Sequence, residues 1–386
     1  MMNRKLQTVL LLLLFMFCGC AHYRLRIPVA LPSDSDWRMY GGGIGRNNVA
    51  YDTITPPLDS TWEYNAEAGF SPSTAVAAGN LLYIGNLIGE IHTVTIGTGK
   101  KAGVYDFGSA IVGTPIIEGD MMYVALANDN EGLKAYNLNE AQVKWQRAVG
   151  DIETSPLIIG NKLLATVLDG KLVCVDKESG DILWTYQIAP GSKTNLIHSS
   201  PASNGNTVVF GCDNGAVYGV NVNTGQLQWN AKTRSAVFSS PSIRDGRVYL
   251  GSTDSTFYAL DVSTGKQLWA KHLPGKIHNS QAVDQNHVYT SVVGGEIYCL
   301  NSDDGQIVWK TNINGVINSS PILSGDALYI GTLNKILYAI DAHSGSILWQ
   351  YKTKGRIKSM PIVFKNHLFL FAEDRSVISF EDNNRK

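Results

Sequence analysis

Ala259-Leu260-Asp261-Val262-Ser263-Thr264-Gly265-Lys266-Gln267-Leu268-Trp269 returns as Ala339-Ile340-Asp341-Ala342-His343-Ser344-Gly345-Ser346-Ile347-Leu348-Trp349. Weaker copies end on Trp145, Trp184, Trp229 and Trp309, so that six tryptophans follow one another at intervals of 39, 45, 40, 40 and 40 residues. A fixed period near 40 with one glycine turn and one aromatic per copy is the pattern of a propeller or a solenoid. A unit of that size cannot bury an apolar face alone, so its neighbours must be further copies of itself.

Working back from each tryptophan, a second marker appears as Ser or Thr before Pro: Thr114-Pro115, Ser155-Pro156, Ser200-Pro201, Ser240-Pro241 and Ser320-Pro321, with Ser280-Gln281 and Met360-Pro361 as variants. Eight residues after the second position stand Tyr123, Leu164, Val209, Tyr249, Tyr289, Tyr329 and Phe369, and Tyr83 stands eight after Ala75 as the eighth copy. Turn pairs such as Gly119-Asp120, Gly205-Asn206, Asp245-Gly246 and Gly325-Asp326 lie between, where hairpins require positive φ. Four strands of about five residues fill each period. The prediction is an all-β fold, an eight-bladed β-propeller with four-stranded antiparallel blades.

An open row of blades would leave two bare end sheets. The last copy stops after Glu381 without a tryptophan strand, whereas Thr61-Trp62-Glu63-Tyr64 is such a strand with no blade before it. Trp62 is therefore expected to complete the C-terminal blade and close the ring, which removes the edges. An acceptor at Asp176, Asp261 or Asp341, eight residues before Trp184, Trp269 or Trp349, is expected to tie one blade to the next with the indole as donor. Thr95 and Gly103 replace that pair in the first blade, making it the loosest joint.

The organisation expected is a signal peptide over 1–19, a lipidated N-terminus and tether over 20–36, a lead-in over 37–60, the propeller over 61–382 and a tail over 383–386. Arg4 and Lys5 precede an apolar run from Val9 to Phe17, too short to span a bilayer and typical of an export signal. Gly19-Cys20 after it resembles a lipobox, with Cys20 as lipid acceptor, and Ala21 implies the outer membrane of a Gram-negative cell, facing the periplasm. A formal net charge of −1 argues against nucleic-acid binding through bulk electrostatics. Cys174 and Cys299 occupy the small-residue slot that Ala259 and Ala339 fill elsewhere, which assigns them to packing rather than chemistry.

The phrase Ala259-x-Asp261-x-x-x-Gly265-Lys266-x-x-Trp269 resembles the tryptophan-docking motif of the pyrroloquinoline-quinone (PQQ) repeat superfamily of propellers, and Trp37-Arg38-Met39-Tyr40-Gly41-Gly42 with Arg46 and Asn47 resembles the opening of such propellers. The resemblance implies the fold over roughly 37–382 and leaves function open, because the motif is structural. One branch is that of quinone- and Ca²⁺-dependent periplasmic oxidoreductases. Adjacent cysteines and a Cys-x-x-Cys-His haem site are absent from the sequence, and Asn128-Asp129-Asn130-Glu131-Gly132, the densest acidic loop, lacks EF-hand spacing. No enzyme activity, cofactor or metal is expected on this reading.

The other branch is the BamB family, lipid-anchored scaffolds that bind the barrel-forming subunit of the outer-membrane assembly machine through loops between blades. The matching loops hold Lys193, Asn195, Leu196, Ile197 and His198, in the stretched 184–229 interval, and Ala236 and Phe238 in the next blade. Where that family places an arginine and an acidic pair, Leu196, Ala236 and Phe238 stand here, so a charge-paired dock has become apolar. The expectation is a monomeric, non-catalytic protein-binding scaffold, membrane-attached through lipid alone, with a propeller sensor or surface-binding lipoprotein as a further rival.

Three residues before each marker proline, at the expected channel mouth, come Val112, Glu153, His198, Phe238, His278, Asn318 and Lys358. So mixed a ring does not resemble a tetrahedral zinc site, and Phe238 is the expected anchor for a partner. One residue before the proline, a row of small hydroxyls lets the inner strands crowd the axis.

Overall fold

The computed structural model describes residues 36–72, 75–127, 132–189, 195–313 and 315–383. Its strands form eight four-stranded antiparallel sheets, each a blade of one ring. Seven blades are built in chain order over 75–106, 116–147, 157–187, 202–232, 242–272, 282–312 and 322–352. The eighth is mixed: strand Leu58–Asn65 pairs antiparallel with Ser376–Asp382, setting Trp62 opposite Ser379, and two shorter strands complete it. The eight-bladed ring and its closure by the strand of Trp62 agree with the sequence expectation.

The second and third strands of a blade are buried almost throughout, as in Val248 to Gly251 and Phe257 to Leu260, because both faces pack on neighbouring sheets. Outer strands differ. Gln267–His272 buries Trp269 between exposed residues, so alternation returns where one face meets water.

At six joints the indole Nε1 donates to a carbonyl of the next blade. Trp62 reaches Ile96 at 2.7 Å, Trp145 Lys177 at 2.8 Å, Trp184 Val222 at 3.1 Å, Trp229 Val262 at 2.9 Å, Trp269 Ser302 at 3.1 Å and Trp309 Ala342 at 2.8 Å. The acceptor differs from the expected one: it is the backbone oxygen one residue beyond the Asp slot, not the carboxylate. Asp261 instead accepts the amides of Ser263 and Thr264 and the Thr264 hydroxyl, and Asp341 and Asp176 hold their own turns in the same way. Those bonds, from the Thr264 hydroxyl first in the case of Asp261, hold the carboxyls below their ordinary range. Opposite each tryptophan on the adjacent strand stands a small residue, among them Ala259, Ala339, Cys174 and Cys299. Burial pushes both of those thiols up to about 12, consistent with inert packing groups.

The docked ring needs a glycine beneath it. Gly265 lies at φ +69°, and a Cβ there would come within 2.4 Å of the Trp229 ring. Where Gly103 replaces the tryptophan, the facing turn carries Ala141 at φ +53° in the glycine slot, and Tyr105, Phe107 and Tyr136 fill the joint with centroids 4.4 to 5.8 Å apart. Loss of the indole and loss of the glycine therefore occur at the same joint. Gly265→Ala is expected to destabilise the ring by about 2–4 kcal/mol, from the left-handed backbone and the overlap together, while Ala141→Gly is neutral or stabilising by about 1 kcal/mol. Urea denaturation of the two variants checks the contrast, and equal midpoints would refute it.

Trp349 departs from the pattern. The closing blade carries no Asp-x-x-x-Gly turn, so Trp349 makes no indole hydrogen bond among the described residues and packs edge-on against Phe380 at 5.8 Å. At the other side of that blade, the Tyr64 hydroxyl lies 2.7 Å from His92 Nδ1, and His92 Nε2 lies 2.9 Å from Glu90. With Nε2 donating to the carboxylate, Nδ1 accepts from Tyr64. That contact links the closing blade to the first.

Beneath the ring runs the lead-in. Carbonyls of Trp37, Arg38, Ile44, Gly45, Asn47 and Asn48 accept the amides of Ala77, Ile117, Ser203, Ile243, Val283 and Leu323, one from the innermost strand of each of six blades. Arg46 reaches the third blade and Asp52 the eighth, through the amide of Lys365. One segment of under twenty residues thus touches every blade.

Candidate functional site

The innermost strands bring six of the seven residues three before the marker position, all but Lys358, to one axial cup of about 190 Å³, lined by Val112, Glu153, His198, Phe238, His278 and Asn318 at its mouth, with serines of the marker row deeper. Tyr40 forms part of its floor. Behind Tyr40, Arg46 is buried: its Nε donates to Pro201 O, Nη1 to Tyr40 O at 2.9 Å, and Nη2 to Ser155 O at 2.8 Å and Pro156 O at 2.9 Å. Desolvation lowers its pKa to about 9, which still leaves it charged at neutral pH. The lead-in therefore converts the axial channel into a blind cup.

At the mouth, Phe238 sits between two imidazoles, 5.6 Å from His198 and 5.5 Å from His278. Their environments push them apart. His198 Nδ1 meets both oxygens of Asp213 at 3.1 Å, and its Nε2 lies 3.8 Å from Glu153. The Asp213 hydrogen bond raises the His198 pKa above 6.5 against desolvation, whereas burial, aided by Lys276, lowers that of His278, whose buried Nε2 has no partner.

His198 contributes stability that is present below its unfolded value and is lost as pH rises through its raised folded pKa. His278 contributes in the opposite sense, with stability lost as pH falls below 6.5 through its folded pKa. NMR titration is expected to show His198 titrating at higher pH than His278, and Asp213→Asn to bring His198 down without moving His278. Identical titrations in the parent protein would refute the assignment.

The partner-binding candidates are dispersed by the structure. Leu196 is 39% exposed on the face of the cup mouth, and Ala236 holds the same slot in the next blade, partly exposed. Ile197 is fully buried in the core beneath and offers no surface to a partner, which corrects its place in the expected set. Asn195 spends its side chain on Ala189 O and Asn214. His198 and Phe238 belong to the cup wall. Lys193 lies outside the described residues, as do Cys20 and residues 128–131 of the acidic loop.

Sequence reasoning missed Val316, in the Leu196 slot three blades on, and Leu87 and Ile88, exposed at 42%, 43% and 57%. The repeat register contained the signal for Val316, as the fifth residue before Pro321. Arg356 fills that slot in the closing blade and pairs with Glu373, which Lys358 also meets at 2.5 Å.

A quinone with its Ca²⁺ does not fit this cup. Calcium takes six or more oxygens from several carboxylates or amides. Glu153 is the carboxylate lining the cup and is engaged with His198, and among the described residues no group of three His, Cys, Asp or Glu could hold a metal ion.

A family model described as outer membrane protein assembly factor BamB matches residues 59–200, 146–311, 271–353 and 293–386, overlapping stretches that take in every blade. Among curated proteins, the outer membrane protein assembly factor BamB of Moranella endobia (strain PCIT) is 23% identical over 239 residues, covering 49% of this chain and 57% of that protein. That of Yersinia pestis is 27% identical over 111 residues, 28% of each. The matched stretches thus span little more than half of one relative and about a quarter of the other. Among solved structures, BamB from Moraxella catarrhalis superposes with a TM-score of 0.71 at 18% identity, over 84% of this chain and 99% of that one. Quinohemoprotein alcohol dehydrogenase from Comamonas testosteroni gives 0.76 at 13%, over 90% and 80%. Likeness at such identities concerns the fold alone.

Proposed function

The chain belongs to the family of the outer membrane protein assembly factor BamB, and on that footing we propose that it is a non-catalytic scaffold that binds protein partners of outer-membrane β-barrel assembly. The observation that carries this reading is the family match, which runs through all eight blades rather than through a shared docking phrase. In this reading the chain is anchored through lipid on Cys20 at the periplasmic face of the outer membrane, and its partner is the barrel-forming subunit of the assembly machine.

Apolar residues on the cup face support a docking role. Leu196, Val316, Leu87 and Ile88 are exposed on the loops of a rigid ring, where contact residues commonly stand. The oxidoreductase reading draws on a dehydrogenase of similar fold, but the donor set of the cup opposes it.

Affinity purification of the full-length chain from detergent-solubilised membranes tests the proposal. Recovery of the barrel-forming subunit is expected, together with its loss in a Leu196→Glu, Val316→Glu variant whose thermal melt is unchanged. Failure to recover any assembly subunit, or dye-linked turnover after addition of PQQ and Ca²⁺, would overturn it.

A further inference from the structure

Two features of the same sign meet at the axial cup: a buried cation behind the lining residues Tyr40 and Ser155, and hydroxyl protons within the cup that have no protein acceptor among the described residues. Arg46 is 1% exposed, and its hydrogen bonds all end on neutral carbonyl oxygens; no carboxylate pairs with it among the described residues. A buried cation with hydrogen bonds but no counter-charge retains an unopposed field.

Above it, five serine hydroxyls are strung around the axis, each accepting a backbone amide from the blade before. Thr114 N reaches Ser155 Oγ at 2.9 Å, Ser155 N reaches Ser200 at 2.9 Å, Ser200 N reaches Ser240 at 3.0 Å, Ser240 N reaches Ser280 at 3.2 Å and Ser280 N reaches Ser320 at 3.1 Å. Ser280 also accepts from Tyr40 at 2.9 Å. Each oxygen is thereby committed as an acceptor, and each proton is left to be donated. None of the five finds an acceptor for it among the described residues, although the serines are only 1 to 9% exposed. A hydroxyl carries one proton to donate besides the lone pairs with which it accepts, so each serine keeps a donor free to point into the cup.

All five line the same cup. We propose that the axial cup binds a small carboxylate or oxyanion, held by the hydroxyl protons of Ser155, Ser200, Ser240, Ser280 and Ser320 above the charge of Arg46. An acceptor-only ligand suits both features together, whereas a cation suits neither. The charged groups around the cup do not oppose this: Arg46, His198, Lys276, Arg356 and Lys358 stand against Glu153, Asp213 and Glu373, five cations to three anions with His198 protonated. Phe238 adds an apolar wall at the mouth, so a carboxylate on a ring gains contact that inorganic phosphate does not.

Calorimetric titration of the full chain with benzoate and with inorganic phosphate, at constant ionic strength, tests the site. Saturable binding of both at one mutually exclusive site is expected. Ser240→Ala should weaken both about tenfold through loss of one charge-assisted bond, and Ser240→Thr should restore them, since Thr114 stands in the same row. Phe238→Leu should weaken benzoate and spare phosphate. In the unsubstituted protein, benzoate should shift the His278 ring resonances, a readout that does not depend on any variant folding. Absence of saturable binding below about 10 mM, undiminished binding in Ser240→Ala, or an unmoved His278 would overturn the proposal, leaving the hydroxyls to water.

Discussion

Trp269→Ala is expected to lower the stability of the ring by about 3–5 kcal/mol, read as a clear fall in the urea midpoint. The indole is 8% exposed and packs on Phe257 and Tyr249 at centroid distances of 6.0 and 6.1 Å. Its far face covers Gly305 of the next blade, where a Cβ would come within 2.5 Å. Truncation therefore opens a cavity between blades that rigid neighbouring sheets cannot collapse to fill. The hydrogen bond is the smaller part, because Ser302 O also accepts the Tyr249 hydroxyl at 3.1 Å and is not orphaned when the indole leaves. Trp269→Phe should accordingly cost about 1 kcal/mol for the bond, plus whatever the smaller ring fails to fill. An unchanged midpoint in the alanine variant would remove the docking role from the repeat.

Arg46→Met is expected to be about as damaging, by about 3–5 kcal/mol. Methionine has nearly the reach of the arginine stem but no donors, and the carbonyls of Tyr40, Ser155, Pro156 and Pro201 would lose the guanidinium together, each buried acceptor costing about 1–3 kcal/mol if water does not replace the donor. Removing the buried charge offsets part of that sum, since a desolvated cation is itself unfavourable. Arg46→Lys should recover little, because a single ammonium does not span the carbonyls of two blades and the lead-in as a planar fork does. Hydrogen exchange gives the local readout: the amides of Ser203 and Ile243, bonded to Ile44 and Gly45, should lose protection in step with the midpoint. Retained protection would mean that the lead-in is held without its arginine.

The repeat made much of this legible in advance, for a physical reason. A propeller places each slot of the period at one radius and height, so residues compared across copies are already compared in space. The tryptophan joints, the closing role of Trp62 and the shared mouth of Glu153, His198, Phe238 and His278 all became visible in that way. The indole acceptor was misassigned because a side chain is written in the sequence and a backbone carbonyl is not. Asp261 marks the turn that presents the carbonyl of Val262 to Trp229, one residue from where the sequence draws attention.

The floor of the cup was legible only as a lead-in that resembles the opening of such propellers, with no role for Tyr40 or Arg46. The lead-in occurs once, so no second copy shows which of its residues are constrained, and Tyr40 finds Ser280, 240 positions away in the chain. The serine row was read as a packing device. Its recurrence explains why small hydroxyls stand there, but only the structure reveals that each oxygen accepts the backbone amide of the neighbouring blade. Ile197 illustrates the converse error: it sits in a loop by sequence and in the core by structure.

The reach of the lead-in bears on the order in which the chain takes shape. Asp52 bonds the amide of Lys365, 313 positions away, and the strand of Trp62 pairs with residues beyond Ser376. Contacts so distant in sequence must await the last blade, and the loop entropy they close weighs on the folding rate. Seven blades can each form hairpin by hairpin from local contacts, but the hub and the seam mature together at the end. Until then the first thirty described residues, with Trp37 and Arg46 among them, have no ring to enter, and the half-built array keeps two bare sheets. Assembly of this molecule is therefore expected to end in a single late event that seals edge and axis at once.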